Sequence, residues 1–383
     1  MGNGSTPACP PLGDEPLDAT TALLFSRMAP QAPPGRPGTC PNRSDSMAVW
    51  ACVTPGFNPG APVGLLFFHG HNNWVTVERT SRGAVRCRVP DWIPDRPLSG
   101  GDQHTNPFTP ARAKAASSEY RQGCGHRYGL DSLDGLTPSS SHRPLVLLPE
   151  VGHLDRTYDR TLVPTVDRHG VQRVDRQGRP MFQPRQAFYV RESAHNVSRF
   201  PAMFDDCASK LTRISPPGST TSYLPATPAV TFAGLRRFFL LGHSGGGVPL
   251  WAAVREAARS SIPTRVGVWD ATYSDGTGAI RAFCEAAHAA GRLNTTAAGS
   301  SVVIVFNPDS DTQARAVDIV SDLRQGGAGR TVFTVTEVRR RSPTDDAAIA
   351  TAIGSQPIVV VHTDQAHEDI PGIYTRMLLQ NTP

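Results

Sequence analysis

The run Phe238-Phe239-Leu240-Leu241-Gly242-His243-Ser244-Gly245-Gly246-Gly247 sets a serine at the centre of a G-x-S-x-G turn, and Val248-Pro249-Leu250-Trp251 follows as a helix opening. A serine hydroxyl is a weak nucleophile until a nearby base takes its proton and N–H donors await the developing oxyanion. A strand-turn-helix setting supplies part of this. The tight turn strains the serine backbone and lifts Oγ above the sheet, while the helix N-terminus offers N–H groups and a positive dipole. Side chains two residues either side would clash, hence Gly242 and Gly246. The competing explanation is a glycine-rich β–α turn that merely packs closely, and in a chain with 35 glycines a bare motif is common.

In this context the motif resembles the nucleophile elbow of the α/β-hydrolase superfamily, whose members include serine esterases and lipases. The resemblance extends from about Ser46 to the C-terminus, apart from two long excursions. It implies the chain order nucleophile, acid, histidine, each after a later strand. In Ile358-Val359-Val360-Val361-His362-Thr363-Asp364-Gln365-Ala366-His367, the family's histidine corresponds to His367, in the loop before the final helix, and His362 reads as a structural residue at the strand end. For the acid, Trp269-Asp270-Ala271 ends one strand and Asn307-Pro308-Asp309-Ser310-Asp311 follows the next. Most members carry the acid after the later strand, but Asp311 also fits a helix N-cap and Asp309 an Asn-Pro-Asp turn. Pancreatic-type lipases carry it after the earlier strand, so Asp270 is preferred, with Asp311 and Asp309 left open. The resemblance further places the oxyanion hole at the backbone N–H groups of His71 and Gly245, with Gly70 permitting close approach.

His69-x-His71 could instead begin a metal site, but Asn72-Asn73-Trp74 follows where further ligands are needed. Neither lysine (Lys114, Lys210) is preceded by glycine, which excludes a P-loop, and Gly327-Ala328-Gly329 lacks the third glycine of a dinucleotide fingerprint. The expectation is therefore no metal and no cofactor. The reaction expected is hydrolysis of a small-molecule or polymeric carboxylic ester through an acyl-enzyme; amidase, peptidase or acyltransferase chemistry, or a silent binding member of the fold, are the alternatives.

Elements must position these residues. Strands are expected at 47–53, 62–68, 143–150, 235–241, 265–269, 301–306, 331–338 and 357–361, and helices at 245–259, 279–290, 312–324 and 370–379. Strands without period-two polarity alternating with helices predict a mostly parallel central sheet covered on both faces: an α/β fold. Residues 1–45 read as a Pro/Gly-rich arm in which Thr21–Phe25 could dock as one helical turn. Residues 46–383 read as one domain, with insertions at about 72–142 and 151–232 forming a cap or lid. Trp74, Trp92, Phe182, Phe188 and Tyr189 are available there to line a pocket.

Composition sets the outer limits. The chain has 383 residues, 38 Lys+Arg against 33 Asp+Glu, and a net charge of +5, too mild to call for nucleic acid. Eight arginines and four aspartates between Asp155 and Arg191 concentrate the excess in one insertion, where a basic lid could favour an anionic substrate. No apolar run approaches the ~20 residues that span a bilayer. MGNGSTPACPPLG lacks the basic and apolar regions of a signal peptide. Seven cysteines without a CxxC pair, five of them in the first third, favour an extracytoplasmic setting with up to three disulfides over buried thiols in a cytosolic enzyme.

Overall fold

A computed structural model describes residues 14–16, 19–27, 46–68, 76–79, 85–88, 142–149, 162–164, 182–184, 199–272, 276–310, 312–326, 329–367 and 369–382. The strands are β1 Glu15–Pro16, β2 Thr21–Arg27, β3 Ser46–Val53, β4 Val63–Phe68, β5 Thr76–Arg79, β6 Val85–Arg88, β7 Leu145–Pro149, β8 Leu162–Pro164, β9 Phe182–Pro184, β10 Arg237–His243, β11 Thr264–Trp269, β12 Ser301–Phe306, β13 Thr336–Arg340 and β14 Ile358–Thr363. The helices are α1 Phe200–Leu211, α2 Gly247–Ala257, α3 Thr277–Ala289, α4 Gln313–Arg324, α5 Asp346–Ser355 and α6 Ile370–Gln380. Ten strands form one sheet in the order β1-β2-β3-β7-β4-β10-β11-β12-β14-β13. The pairings from β7 to β13 are parallel, and those joining β1, β2, β3 and β7 are antiparallel.

Continuous apolar runs make this possible because alternate side chains serve opposite faces. Leu66, Phe68, Phe238, Leu240, Val266, Val268, Val302 and Ile304 share one core with residues of α1, α2, α3 and α4. Leu65, Phe67, Phe239, Leu241, Val303, Val305, Val359 and Val361 share the other with α5 and α6. Both faces are thus closed to water, as the sequence pattern predicts.

Three expectations need correction. Thr21–Phe25 is not a helical turn but lies within β2, paired antiparallel with β3 from Thr21↔Cys52 to Arg27↔Ser46. The ladder with β3 decides this, and Thr21, Ala22, Leu24 and Ser26 are buried in it, so the sheet begins ahead of Ser46. The C-terminal part of the second insertion is body, not lid. Phe200, Phe204, Cys207 and Leu211 of α1 bury against Phe238 and Leu66. The contact is so close that a Cβ on Gly64 would lie 2.9 Å from the Phe204 ring. The strand expected at 331–338 starts only at Thr336, because before it the Phe333 N–H donates to the Leu323 carbonyl and the Val335 carbonyl accepts from Arg324, both at the end of α4, and pairing with β14 begins only at Thr336.

The hairpins β5-β6 and β8-β9 lie within the two excursions; Trp74, Trp92, Phe188, Tyr189 and most of the arginine-rich stretch fall outside the described residues. Cys207 and Cys284 are buried free thiols, and burial pushes the Cys284 thiol up to about 12. The five other cysteines then allow two disulfides at most, not three. Among the described residues no helix is long and apolar enough to cross a membrane.

Phe204 distinguishes body from lid. Its ring meets Phe232 and Phe238 edge-on, so Phe204→Ala should cost about 3–5 kcal/mol in a urea titration. A variant as stable as the parent contradicts the packing role.

Candidate active site

The carboxyl ends of β10, β11, β12 and β14 converge on one cluster. β10 delivers His243 and then Ser244, which opens a single 3₁₀ turn, Ser244–Gly246, leading into α2. Ser244 has φ 52° and Asp270, one residue past β11, has φ 44°. These are the only non-glycine residues with positive φ among the described residues. Such a conformation costs roughly 1–3 kcal/mol and persists only where the surroundings enforce it.

The surroundings are tight. A Cβ on Gly242 would lie 3.0 Å from Leu250 Cδ2 and 3.2 Å from the Gly246 carbonyl oxygen, the clash expected from the motif. On Gly247, which starts α2, a Cβ would lie 1.8 Å from the Ala271 carbonyl oxygen. The helix N-terminus is therefore pressed against the chain leaving Asp270.

Asp270 is fully buried. Its backbone N–H donates to the Val305 carbonyl at 2.7 Å, and its two carboxylate oxygens have separate tasks. Oδ2 lies 2.6 Å from His367 Nδ1. Oδ1 accepts from the Thr312 hydroxyl and, at 2.9 Å, from Ser310. The single Ser310 proton has a second acceptor in the Asn307 carbonyl, 2.7 Å away. Thr272 Oγ1 in turn donates to the Thr312 carbonyl at 2.7 Å, tying the two loops together.

Burial by itself would push the Asp270 carboxyl up, but the bonds from His367, Thr312 and Ser310 and the charge of His367 outweigh it and hold it below the ordinary aspartate value. A carboxylate only accepts, so the hydrogen bond puts the proton on Nδ1 and leaves Nε2 as the basic nitrogen. His367 is in the loop between β14 and α6, with its side chain 31% exposed. His243 links it to the serine turn: its Nε2 is 3.0 Å from the His367 carbonyl oxygen and the two ring centroids are 4.4 Å apart.

This is an α/β-hydrolase fold. What decides it is a helix-covered, mostly parallel sheet carrying a strained serine elbow at a strand's carboxyl end, with an Asp–His pair supplied in that chain order by later strands.

The other expected residues fall as follows. Asp309 is exposed, with its backbone N–H bound to Asn307 Oδ1 at 2.8 Å, the Asn-Pro-Asp turn anticipated for it. Asp311 lies outside the described residues, and the N-cap position of α4 belongs to Thr312. His362 sits in β14 with Nε2 2.7 Å from Glu337 Oε2, a strand-end structural contact. Gly245 lies in the 3₁₀ turn and Gly246 is the N-cap of α2. His69, Gly70 and His71 are outside the described residues. Ser310, Thr312 and His243 are additions: Ser310 fell in an expected loop, Thr312 at the start of an expected helix, and His243 occupied a variable place in the motif.

No protein-family model matches the chain, and no curated protein matches it. Among solved structures, the α/β-hydrolase fold here is similar to a feruloyl esterase module from Clostridium thermocellum at 9% identity, covering 99% of this chain and 92% of that one with a TM-score of 0.40. It is also similar to a glucuronoyl esterase from Solibacter usitatus (12%, 99% and 87%, TM-score 0.41). A third is the S-formylglutathione hydrolase from Agrobacterium tumefaciens (7%, 97% and 99%, TM-score 0.36). Likeness at this level transfers no chemistry.

Two predictions follow from the packing and the charge. Gly247→Ala should destabilise by about 1–3 kcal/mol or more, because backbone must move, whereas Gly278→Ala, with nothing within 4 Å of the added Cβ, should gain about 0.5–1 kcal/mol; equal urea midpoints for the pair contradict this. The lowered Asp270 value means that its charge stabilises the fold above the unfolded aspartate pKa of ~3.9, and this contribution is lost as pH falls through the folded value. The stability gap between the parent and Asp270→Asn, followed by urea titration, should therefore narrow on acidification below about pH 4. A gap that widens reverses the sign.

Proposed function

We propose that this protein is a serine hydrolase that cleaves carboxylic esters, small-molecule or polymeric, with Ser244 as nucleophile, His367 as base and Asp270 as the acid. The observation that carries the reading is the 2.6 Å bond from His367 Nδ1 to the buried Asp270 carboxylate, beside a serine held at φ 52°. A merely close-packed β–α turn has no use for a buried Asp–His pair at its side. The preference for esters follows the resemblance of the elbow to serine esterases and lipases.

Chemistry proceeds in two halves. As Ser244 Oγ attacks the ester carbonyl carbon, its proton passes to His367 Nε2, and Asp270 stabilises the imidazolium and keeps its tautomer. The tetrahedral oxyanion accepts hydrogen bonds from backbone N–H groups, Gly245 supplying one and, by the resemblance, His71 the other. Collapse breaks the C–O bond; the alcohol leaves with the proton from His367, and Ser244 remains acylated. Water then attacks the acyl carbon, giving its proton to His367, and the acid departs as Oγ recovers its proton.

Ser244→Ala should abolish hydrolysis of an activated short-chain ester and labelling by a fluorophosphonate while the protein stays folded. Asp270→Asn should lower kcat by about 10⁴-fold, since the amide favours the wrong tautomer. Retained turnover in the alanine variant ends the proposal.

A further inference from the structure

We infer that His243, the residue immediately before the nucleophile, is a positioning residue that fixes the place and plane of the His367 imidazole. The inference rests on the reading of His367 as the base for Ser244.

The hydrogen bond to Asp270 holds the His367 ring at Nδ1, and where Nε2 lies depends also on what holds the plane of the ring. His243 bears on that plane in two ways. Its ring lies against the His367 ring, with centroids 4.4 Å apart and planes inclined by 37°. Its Nε2, 3.0 Å from the His367 carbonyl oxygen, holds the backbone from which that ring hangs. A carbonyl only accepts, so His243 must carry its proton on Nε2.

Only 5% of His243 is exposed, and it is the last residue of β10, locked between Phe68-side and Trp269-side strands by the registers Gly242↔Phe68 and His243↔Trp269. It therefore has little freedom to pass on. The His367 loop is also held two residues earlier, where Asn307 Nδ2 donates to the Gln365 carbonyl at 3.1 Å. With His243 adjacent to Ser244, the error in placing base against nucleophile is confined to one peptide link. Such precision matters because a misplacement of about 1 Å costs roughly 10²-fold in rate.

The test compares His243→Leu, which keeps bulk but has no donor, with His243→Gln, whose amide N–H can reach the same carbonyl. Turnover of an activated ester is measured alongside the downfield proton resonance of the His367–Asp270 bond. His243→Leu should lower kcat about 10–100-fold, leave KM within about twofold, and broaden the downfield signal. His243→Gln should recover most of kcat and the sharp signal. Undiminished kcat in His243→Leu, a loss confined to KM, or a glutamine variant as slow as the leucine one overturns the inference. If the leucine variant does not fold, His243→Asn, one methylene too short to reach, takes its place against His243→Gln, and equal kcat in those two overturns it. Ser244→Ala and His367→Ala run in parallel: turnover retained in them defeats the hydrolase reading itself, while its loss there beside unimpaired His243 variants defeats only the role of His243.

Discussion

The bond between the buried Asp270 carboxylate and His367 is the constraint on which the rest of the site depends. Taking an ionised carboxylate out of water costs several kcal/mol, which only good partners offset. Asp270 finds them on both sides: His367 on Oδ2, and Thr312 with Ser310 on Oδ1. The partners come from the ends of two further strands, β12 and β14. The carboxylate therefore works as a clasp at the meeting point of these loops, beside the Thr272–Thr312 and Asn307–Gln365 bonds that also join them. The left-handed backbone at Asp270, φ 44°, is one that a short polar side chain tolerates better than most, and it accompanies the turn that presents the carboxylate oxygens in two directions.

The sheet makes such a clasp affordable. Each parallel strand from β4 to β14 contributes alternate residues to two sealed cores, so the strand ends stand on a platform that cannot easily shear. Close contact is carried to the elbow itself, where α2 rests on the Ala271 carbonyl through a glycine. Rigidity here is a matter of backbone against backbone, which side-chain repacking cannot relieve.

Much of this was legible in the sequence, and the gaps have physical causes. Ser244 could be read because a tight β–α turn leaves a glycine pattern that survives in one dimension. His367 could be read because loops after strands are visible in the apolar pattern. The aspartate beside His367 could only be ranked, Asp270 first by resemblance, because Asp270, Asp309 and Asp311 all follow strands and differ only in what lies across space; in the structure Asp270 bonds to His367 and Asp309 faces solvent. The strand Thr21–Arg27 was masked by the Pro/Gly-rich composition around it. Helix α1 was lost in the polar length of its excursion, although Phe200, Met203, Phe204, Cys207 and Leu211 carry a helical spacing of buried residues. The support from Ser310, Thr312 and His243 is tertiary throughout: nothing local marks a serine or threonine as a carboxylate's donor.

The contacts that build the site also join distant parts of the chain. His367 and Asp270 are separated by 97 positions, and His243 and His367 by 124. Loops of that length are closed late, after the entropy of the intervening chain has been given up. The pair cannot exist in any partly folded form that lacks β14, so a chain with most of its secondary structure in place would still be chemically inert. On the proposed reading, hydrolytic competence would arrive with the last strand.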